Sequence, residues 1–148
     1  MINKITTRDD KKAIINQVID AIVAGCSGCH SIYLFGSWAT EHETESSDLD
    51  IAVLLPGKEN PLQANTMISL ANQLAQIASV ESVDLIDIRH VDTIFQIQII
   101  NTGQRFDIDD GNEADLFEMT TLSQYQKLYE ERKEILREGI ERGRFYHV

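Results

Sequence analysis

At 148 residues the chain suits one compact domain, and 43% apolar residues are enough to fill a single core. Its 24 acidic against 13 basic residues give a formal net charge of −11, which argues against broad binding to DNA or RNA backbones, a task for clustered Lys and Arg. No apolar run approaches the roughly 18 residues of a membrane-spanning helix, and the polar stretch Met1 to Lys12 does not read as a signal peptide. A cytoplasmic protein with no membrane contact is expected. An acidic surface of this kind favours a basic protein partner, or a small anionic ligand that arrives with a metal ion.

In chain order, Arg8 to Ala24 reads as a helix, with Ala13, Ile14, Val18, Ala21 and Ile22 at helical spacing and Gly25 and Gly28 ending it. Between those glycines and the next element lies Cys26-Ser27-Gly28-Cys29. That spacing is compatible with a redox pair or half a zinc site. A structural zinc needs four ligands, however, and only His30 is near. The reading is therefore a turn holding two reduced thiols.

Ser31 to Phe35 is short, apolar and partly β-branched, which predicts a strand broken by Gly36-Ser37. Trp38 to Glu43 is expected to form a short helix starting at Ser37. Leu49 to Leu55 is the clearest strand, closed by Pro56-Gly57. Pro61 to Ala78 follows as a helix with Leu62, Met67, Leu70, Leu74 and Ile77 on one face. Val83 to Ile88 predicts a third strand, Val91 to Ile100 a helix, and Gln104 to Ile108 a short edge strand. Glu113 to Arg142 reads as one long helix whose apolar side carries Leu116, Met119, Leu122, Tyr125, Tyr129, Leu136 and Ile140. The organisation is thus one domain over 1–148, with a core at about 8–108 and a helical extension at about 113–142. Tyr125, Tyr129, Phe145 and Tyr146 serve either as packing residues or as a partner-binding face.

The chemistry lies on the middle strand. With a period of two, Asp48 and Asp50 point to one face, while Leu49, Ile51, Val53 and Leu55 point to the core. Two carboxylates held together repel, and a divalent cation resolves the repulsion. A pair of hard oxygen donors with open positions suits Mg²⁺ or Mn²⁺ bound alongside substrate phosphates. Gly36 allows close backbone approach to a ligand, and Ser37 offers a hydroxyl where helix N–H groups point outward. A phosphate cradle beside a metal pair suggests phosphoryl or nucleotidyl transfer. On the third strand, parity selects Asp84 to join Asp48 and Asp50, and sets Asp87 at the strand end as a solvated or capping residue. Asp84 serves either as general base or as a ligand of a second metal. Ser46 and Ser47 steady the start of the strand, and Ser47 joins Gly36 and Ser37 as a candidate nucleotide contact.

Gly36-Ser37, ten intervening residues and Asp48-Leu49-Asp50 resemble the signature of the DNA polymerase β-type nucleotidyltransferase superfamily. The short length and Val83-Asp84-Leu85-Ile86-Asp87 resemble its minimal nucleotidyltransferase (MNT) branch, and within it the antitoxins of HEPN/MNT toxin–antitoxin pairs. The resemblance runs from about Ser31 to Arg105, and more weakly through the tail. It implies an α/β (α+β) fold with a small mixed sheet, helices on one face and the active site on the other. It implies two Mg²⁺ ions held by Asp48, Asp50 and Asp84, ATP as substrate, and AMP transfer to a tyrosine of a cognate HEPN ribonuclease toxin in a hetero-oligomer.

The loop from Trp38 to Ser47 departs from the family pattern, since it lacks the basic residue often found there. Triphosphate charge then falls to metal, backbone N–H groups and Lys58, Arg89 or Arg105. In that loop Trp38 serves either as a stacking surface or as packing, and His42 with Glu41, Glu43 and Glu45 reads as a solvated acidic segment. The competing functions are an antitoxin that acts by binding alone, and a nucleotidyltransferase acting on a small hydroxyl compound such as an aminoglycoside. The second usually needs an added helical domain, for which this chain has little length left.

Overall fold

The computed structural model describes residues 8–36, 48–57 and 64–142. The predicted short helix after Ser37, together with Ser37, Trp38, His42, Ser46, Ser47, Lys58, Phe145 and Tyr146, lies outside the described residues. The elements run α1 (Arg8–Gly25), β1 (Ser31–Phe35), β2 (Leu49–Leu54), α2 (Ala64–Ala78), β3 (Val83–Asp87), α3 (Thr93–Thr102), β4 (Gln104–Asp107) and α4 (Asn112–Arg142), with a 3-10 turn at Ile88–His90. No described helix is long and apolar enough to cross a membrane.

The strands form one mixed sheet in the order β3-β2-β1-β4. β1 lies antiparallel to both β2 and β4, whereas β2 and β3 run parallel. The parallel pair needs a crossover, which α2 supplies. β2 is central and almost wholly buried, while β3 and β4 are the edges.

Alternation along the strands fills both faces. On one face Ile32, Leu34, Leu49, Ile51 and Val53 pack against Val18 and Ile22 of α1 and Leu70 and Leu74 of α2. On the other, Tyr33, Ala52 and Leu54 pack against Ile99 of α3 and Ala114 and Phe117 of α4. The fold class is as expected, but the second face is not bare. The expectation of helices on one face holds for α1 and α2 only, because β1 and β2 carry apolar residues at both parities and need cover on each side.

Local chemistry explains the boundaries. α2 ends at Ser79, a non-glycine residue at φ 55°, where Val80 N–H donates to Ala75 C=O at 3.1 Å and caps the last turn. Asp92 caps α3 by accepting from Phe95 N–H at 2.7 Å. Asp87 caps the 3-10 turn by accepting from Arg89 N–H at 3.1 Å, which is the capping role that its parity suggested. That turn accounts for β3 stopping one residue early.

Arg105 fastens α4 to the sheet edge. Its guanidinium reaches Asp107 at 2.8 and 3.0 Å, Glu118 at 3.0 Å and Asp115 at 2.9 Å. Glu118 also accepts from the buried Tyr33 hydroxyl at 2.7 Å, and Asp107 accepts from Ser31 at 2.7 Å. Burial and the neighbouring Glu118 hold the Tyr33 phenol well above its usual pKa, so it stays a donor. Arg105→Ala is expected to cost about 2 kcal/mol, the scale of charge-assisted hydrogen bonds that solvent still partly reaches. A lower urea midpoint at unchanged slope checks it. The hydrogen bond from Arg105 holds the Asp107 carboxyl below the usual carboxylate range. Its contribution is therefore present above the unfolded carboxylate pKa and disappears as pH falls through the depressed folded value.

Cys26 and Cys29 are both buried free thiols in the turn after α1. Burial raises the pKa of both, that of Cys29 to about 12. Neither is a thiolate at neutral pH, so neither is a ready nucleophile. A maleimide is expected to label neither cysteine in native buffer and both in denaturant.

Candidate nucleotidyl-transfer site

The open end of the second face is built from three strand ends. β1 leaves the sheet at Phe35-Gly36, β2 enters after Asp48, and β3 begins at Val83. Antiparallel register sets Phe35 beside Asp50, and parallel register sets Asp50 beside Asp84. Side chains in register share a face. Phe35, Asp50 and Asp84 therefore form a row across three strands on the face that also carries Ala52 and Ile86. Asp48 stands two residues before Asp50, just outside the strand. Asp48 and Asp84 are exposed and Asp50 is half-buried.

Electrostatics ties the three acids together. The Asp50 carboxyl is pushed above its ordinary pKa, first by burial, then by the charge of Asp84, then by that of Asp48. The parity argument that chose Asp84 over Asp87 matches this placement. Asp87 sits at the far end of β3, capping Arg89 N–H and pairing with His90 at 3.3 Å.

Gly36 has φ +80°, the left-handed region that favours glycine. A Cβ at this position would run into the Asp50 carboxylate, with Oδ2 as its nearest atom. The missing side chain is therefore what lets Asp50 lie against the turn where the Gly-Ser pair begins. The Asp50 carboxylate takes the space that a Cβ at this position would fill.

The donor set fits a magnesium ion delivered with nucleotide. Burial and then the charges of Asp84 and Asp48 disfavour the ionised Asp50 carboxylate, a cost that a bound cation would offset. Among the described residues no group of three or more His, Cys, Asp or Glu side chains is placed to hold a metal ion, so Asp48, Asp50 and Asp84 are not gathered into the three-carboxylate set expected from the sequence. Mg²⁺ keeps water and phosphate oxygens in its shell and needs only one or two carboxylates, which Asp48 and Asp50 would supply.

Two cations read from the sequence as triphosphate contacts are committed elsewhere. Arg89 donates to Leu55 C=O at 2.8 Å, reaches Glu113 at 3.5 Å and lies over the Phe117 ring at 5.7 Å. Arg105 is held by Asp107, Asp115 and Glu118. Both serve the packing of α4, because that helix brings its acidic first turns against the sheet edge. Sequence reasoning passed over Phe35. Its ring meets Phe95 of α3 edge-on, with centroids 5.9 Å apart and planes at 82°, so the residue beside Asp50 is braced from beneath. Its parity, shared with Tyr33, was the signal.

Comparison with known proteins places the fold in a family. Residues 17–110 match the family "Polymerase beta, Nucleotidyltransferase". The chain is 33% identical over 125 residues to the protein adenylyltransferase MntA of Shewanella oneidensis, covering 82% of this chain and 84% of that protein. Among solved structures it resembles a toxin–antitoxin crystallised with AMP-PNP, at TM-score 0.69 and 30% identity over 84% of this chain and 97% of the other. It also resembles an MNT antitoxin in complex with the tri-AMPylated Shewanella oneidensis HEPN toxin, at TM-score 0.68 and 28% identity over 88% and 98% of the two chains. The chain belongs to the polymerase β nucleotidyltransferase family, alongside the MntA-type antitoxins.

Proposed function

We propose that this chain is an antitoxin that transfers AMP from ATP to a tyrosine hydroxyl of a cognate HEPN ribonuclease toxin, in the cytoplasm and with Mg²⁺, and so silences it. The observation that carries the reading is the row Asp50–Asp84 set against the glycine turn at Gly36. The sequence relationship to a protein adenylyltransferase supports the acceptor class.

In the transfer, the acceptor oxygen forms a bond to the α-phosphorus of ATP. The bond between that phosphorus and the bridging oxygen to the β-phosphate breaks, and pyrophosphate leaves. Magnesium, when bound, neutralises phosphate charge and favours the ionised acceptor oxygen. Asp48 and Asp50 would hold the ion, with Asp84 beside them. Asp84, exposed on the edge strand β3, would receive the hydroxyl proton of the acceptor. The Gly36 turn leaves room for the Asp50 carboxylate to lie against it, and Ser37 and Ser47, read from the sequence as nucleotide contacts, would add hydroxyls. Phe35, braced by Phe95, holds the strand end that carries this turn.

ATP labelled at the α-phosphate tests the reaction. With Mg²⁺ and the purified toxin, label is expected on a toxin tyrosine, whereas γ-labelled ATP leaves none. Label on no protein with either nucleotide contradicts the reading.

A further inference from the structure

α4 runs on well past its last buried residue, Thr121. Its 31 residues span about 46 Å. Only its first turns touch the sheet. Ala114, Phe117 and Thr121 are buried, and Glu118 is held by Tyr33 and Arg105. From Leu122 to Glu138 only Tyr125 is even partly covered.

The apolar stripe continues where the body stops. Steps of three and four lead from Ala114, Phe117 and Thr121 to Tyr125, Leu128 and Ile135 on the same face, flanked by Leu122, Tyr129 and Leu136. Leu128 is 41% exposed, Tyr129 57%, Ile135 59% and Leu136 48%. One such residue is ordinary on a protein surface, but a continuous row of them marks an interaction face.

Two features identify what covers it. The first is periodicity. Thr121-Leu122, Leu128-Tyr129 and Ile135-Leu136 recur at intervals of seven, the spacing at which a helix supercoils left-handedly around another helix. The second is charge. Between Leu122 and Gly139, Lys127, Arg132, Lys133 and Arg137 balance Glu130, Glu131, Glu134 and Glu138, so the whole net charge of −11 lies elsewhere in the chain. A basic partner finds no attracting field on this stretch. A second copy finds a neutral one, while the stretch itself, about 27 Å long, keeps two acidic bodies apart by more than the roughly 8 Å over which charge is felt.

We propose that two copies of this chain associate through Leu122–Gly139 of α4, paired antiparallel as a short two-helix coiled coil with the bodies at opposite ends. Each copy offers only about five turns, so the contact falls below the roughly 1,200 Å² of a standard stable interface, and association is weak and reversible. Arg132 lies in the stripe between Leu128 and Ile135 and is exposed. The antiparallel pairing brings the two Arg132 side chains near each other at its middle, which limits affinity. The inference stands apart from the transfer reaction, since no residue of the carboxylate site takes part.

Sedimentation velocity on the full chain, from about 5 to about 500 µM, tests it. The wild type is expected to shift reversibly from monomer to dimer across that range. Leu128→Glu with Leu136→Glu, both at solvent-facing positions, is expected to keep its helical circular dichroism and stay monomeric. Arg132→Leu is expected to move the midpoint at least tenfold lower. A wild type that is monomeric throughout overturns the proposal, as does a double variant that dimerises normally. An Arg132→Leu protein with unchanged or weaker association, or one that aggregates rather than dimerises, also overturns it. A chain that is monomeric alone and meets only the toxin through this face assigns the surface to that partner instead.

Discussion

Asp50→Asn is expected to lower AMP transfer by roughly three orders of magnitude while raising the melting temperature of the metal-free protein. The two effects share one cause. Asp50 is half-buried beside Asp84 and Asp48, and its carboxyl is pushed above the ordinary value by burial and by both charges. A carboxyl whose folded pKa exceeds its unfolded one binds its proton more tightly when folded. The folded state therefore loses stability as pH rises from the usual carboxylate range through the raised value, and at neutral pH the ionised group is a standing cost. Asparagine keeps the shape and removes that cost. It also removes the charge that holds a cation at the transferring phosphate, a contribution of several kcal/mol, each 1.36 kcal/mol being about tenfold in rate. Calorimetry in EDTA at pH 7 and again near pH 4 separates the two. The gain from Asp50→Asn is expected to be present at pH 7 and to shrink at the lower pH. Equal melting temperatures at pH 7 would mean that Asp50 is not under strain from its neighbours.

Gly36→Ala is the second large effect, and it acts through position rather than charge. The residue has φ +80°, which costs alanine about 1–3 kcal/mol together with local strain. The new methyl group also claims the space of the Asp50 carboxylate. Either the carboxylate rotates away or the turn opens, and a displacement of about 1 Å in a reacting constellation is worth on the order of 10²-fold in rate. Activity is expected to fall about 100-fold or more with the fold intact by circular dichroism. A fully active Gly36→Ala enzyme would show that the turn and the carboxylate are not coupled in the working site.

The strands were legible because each is a short, largely apolar and β-branched run bounded by glycine, proline or polar residues. Ser31 to Phe35 and Leu49 to Leu54 lie at or within one residue of the predicted bounds, and parity on β3 separates Asp84, in register with Asp50, from Asp87. The helix α4 was legible in extent but not in direction. Its packed face is Ala114, Phe117 and Thr121, not the row that includes the exposed Leu116, Met119 and Leu122. A small residue and a threonine carry little apolar signal, yet they are what close approach to a sheet edge requires. Arg105 makes the same point about charge. A lone cation near a phosphate site looks like a phosphate ligand, and only the fold reveals the three acids that α4 and β4 bring to it. Phe35 went unremarked because its importance lies in a register partner, and register is a long-range fact.

Intact mass of the HEPN toxin purified from cells that co-express it with this chain tests the central claim most directly. With the wild-type chain, the toxin is expected to carry one or more AMP units on tyrosine and to be inactive as a ribonuclease. With Asp48→Ala plus Asp50→Ala, it is expected to keep its unmodified mass and remain toxic, even though the two proteins still co-purify. A toxin of unmodified mass that is nevertheless silenced, by the wild-type chain and the double variant alike, would contradict catalysis and leave binding alone as the mode of action.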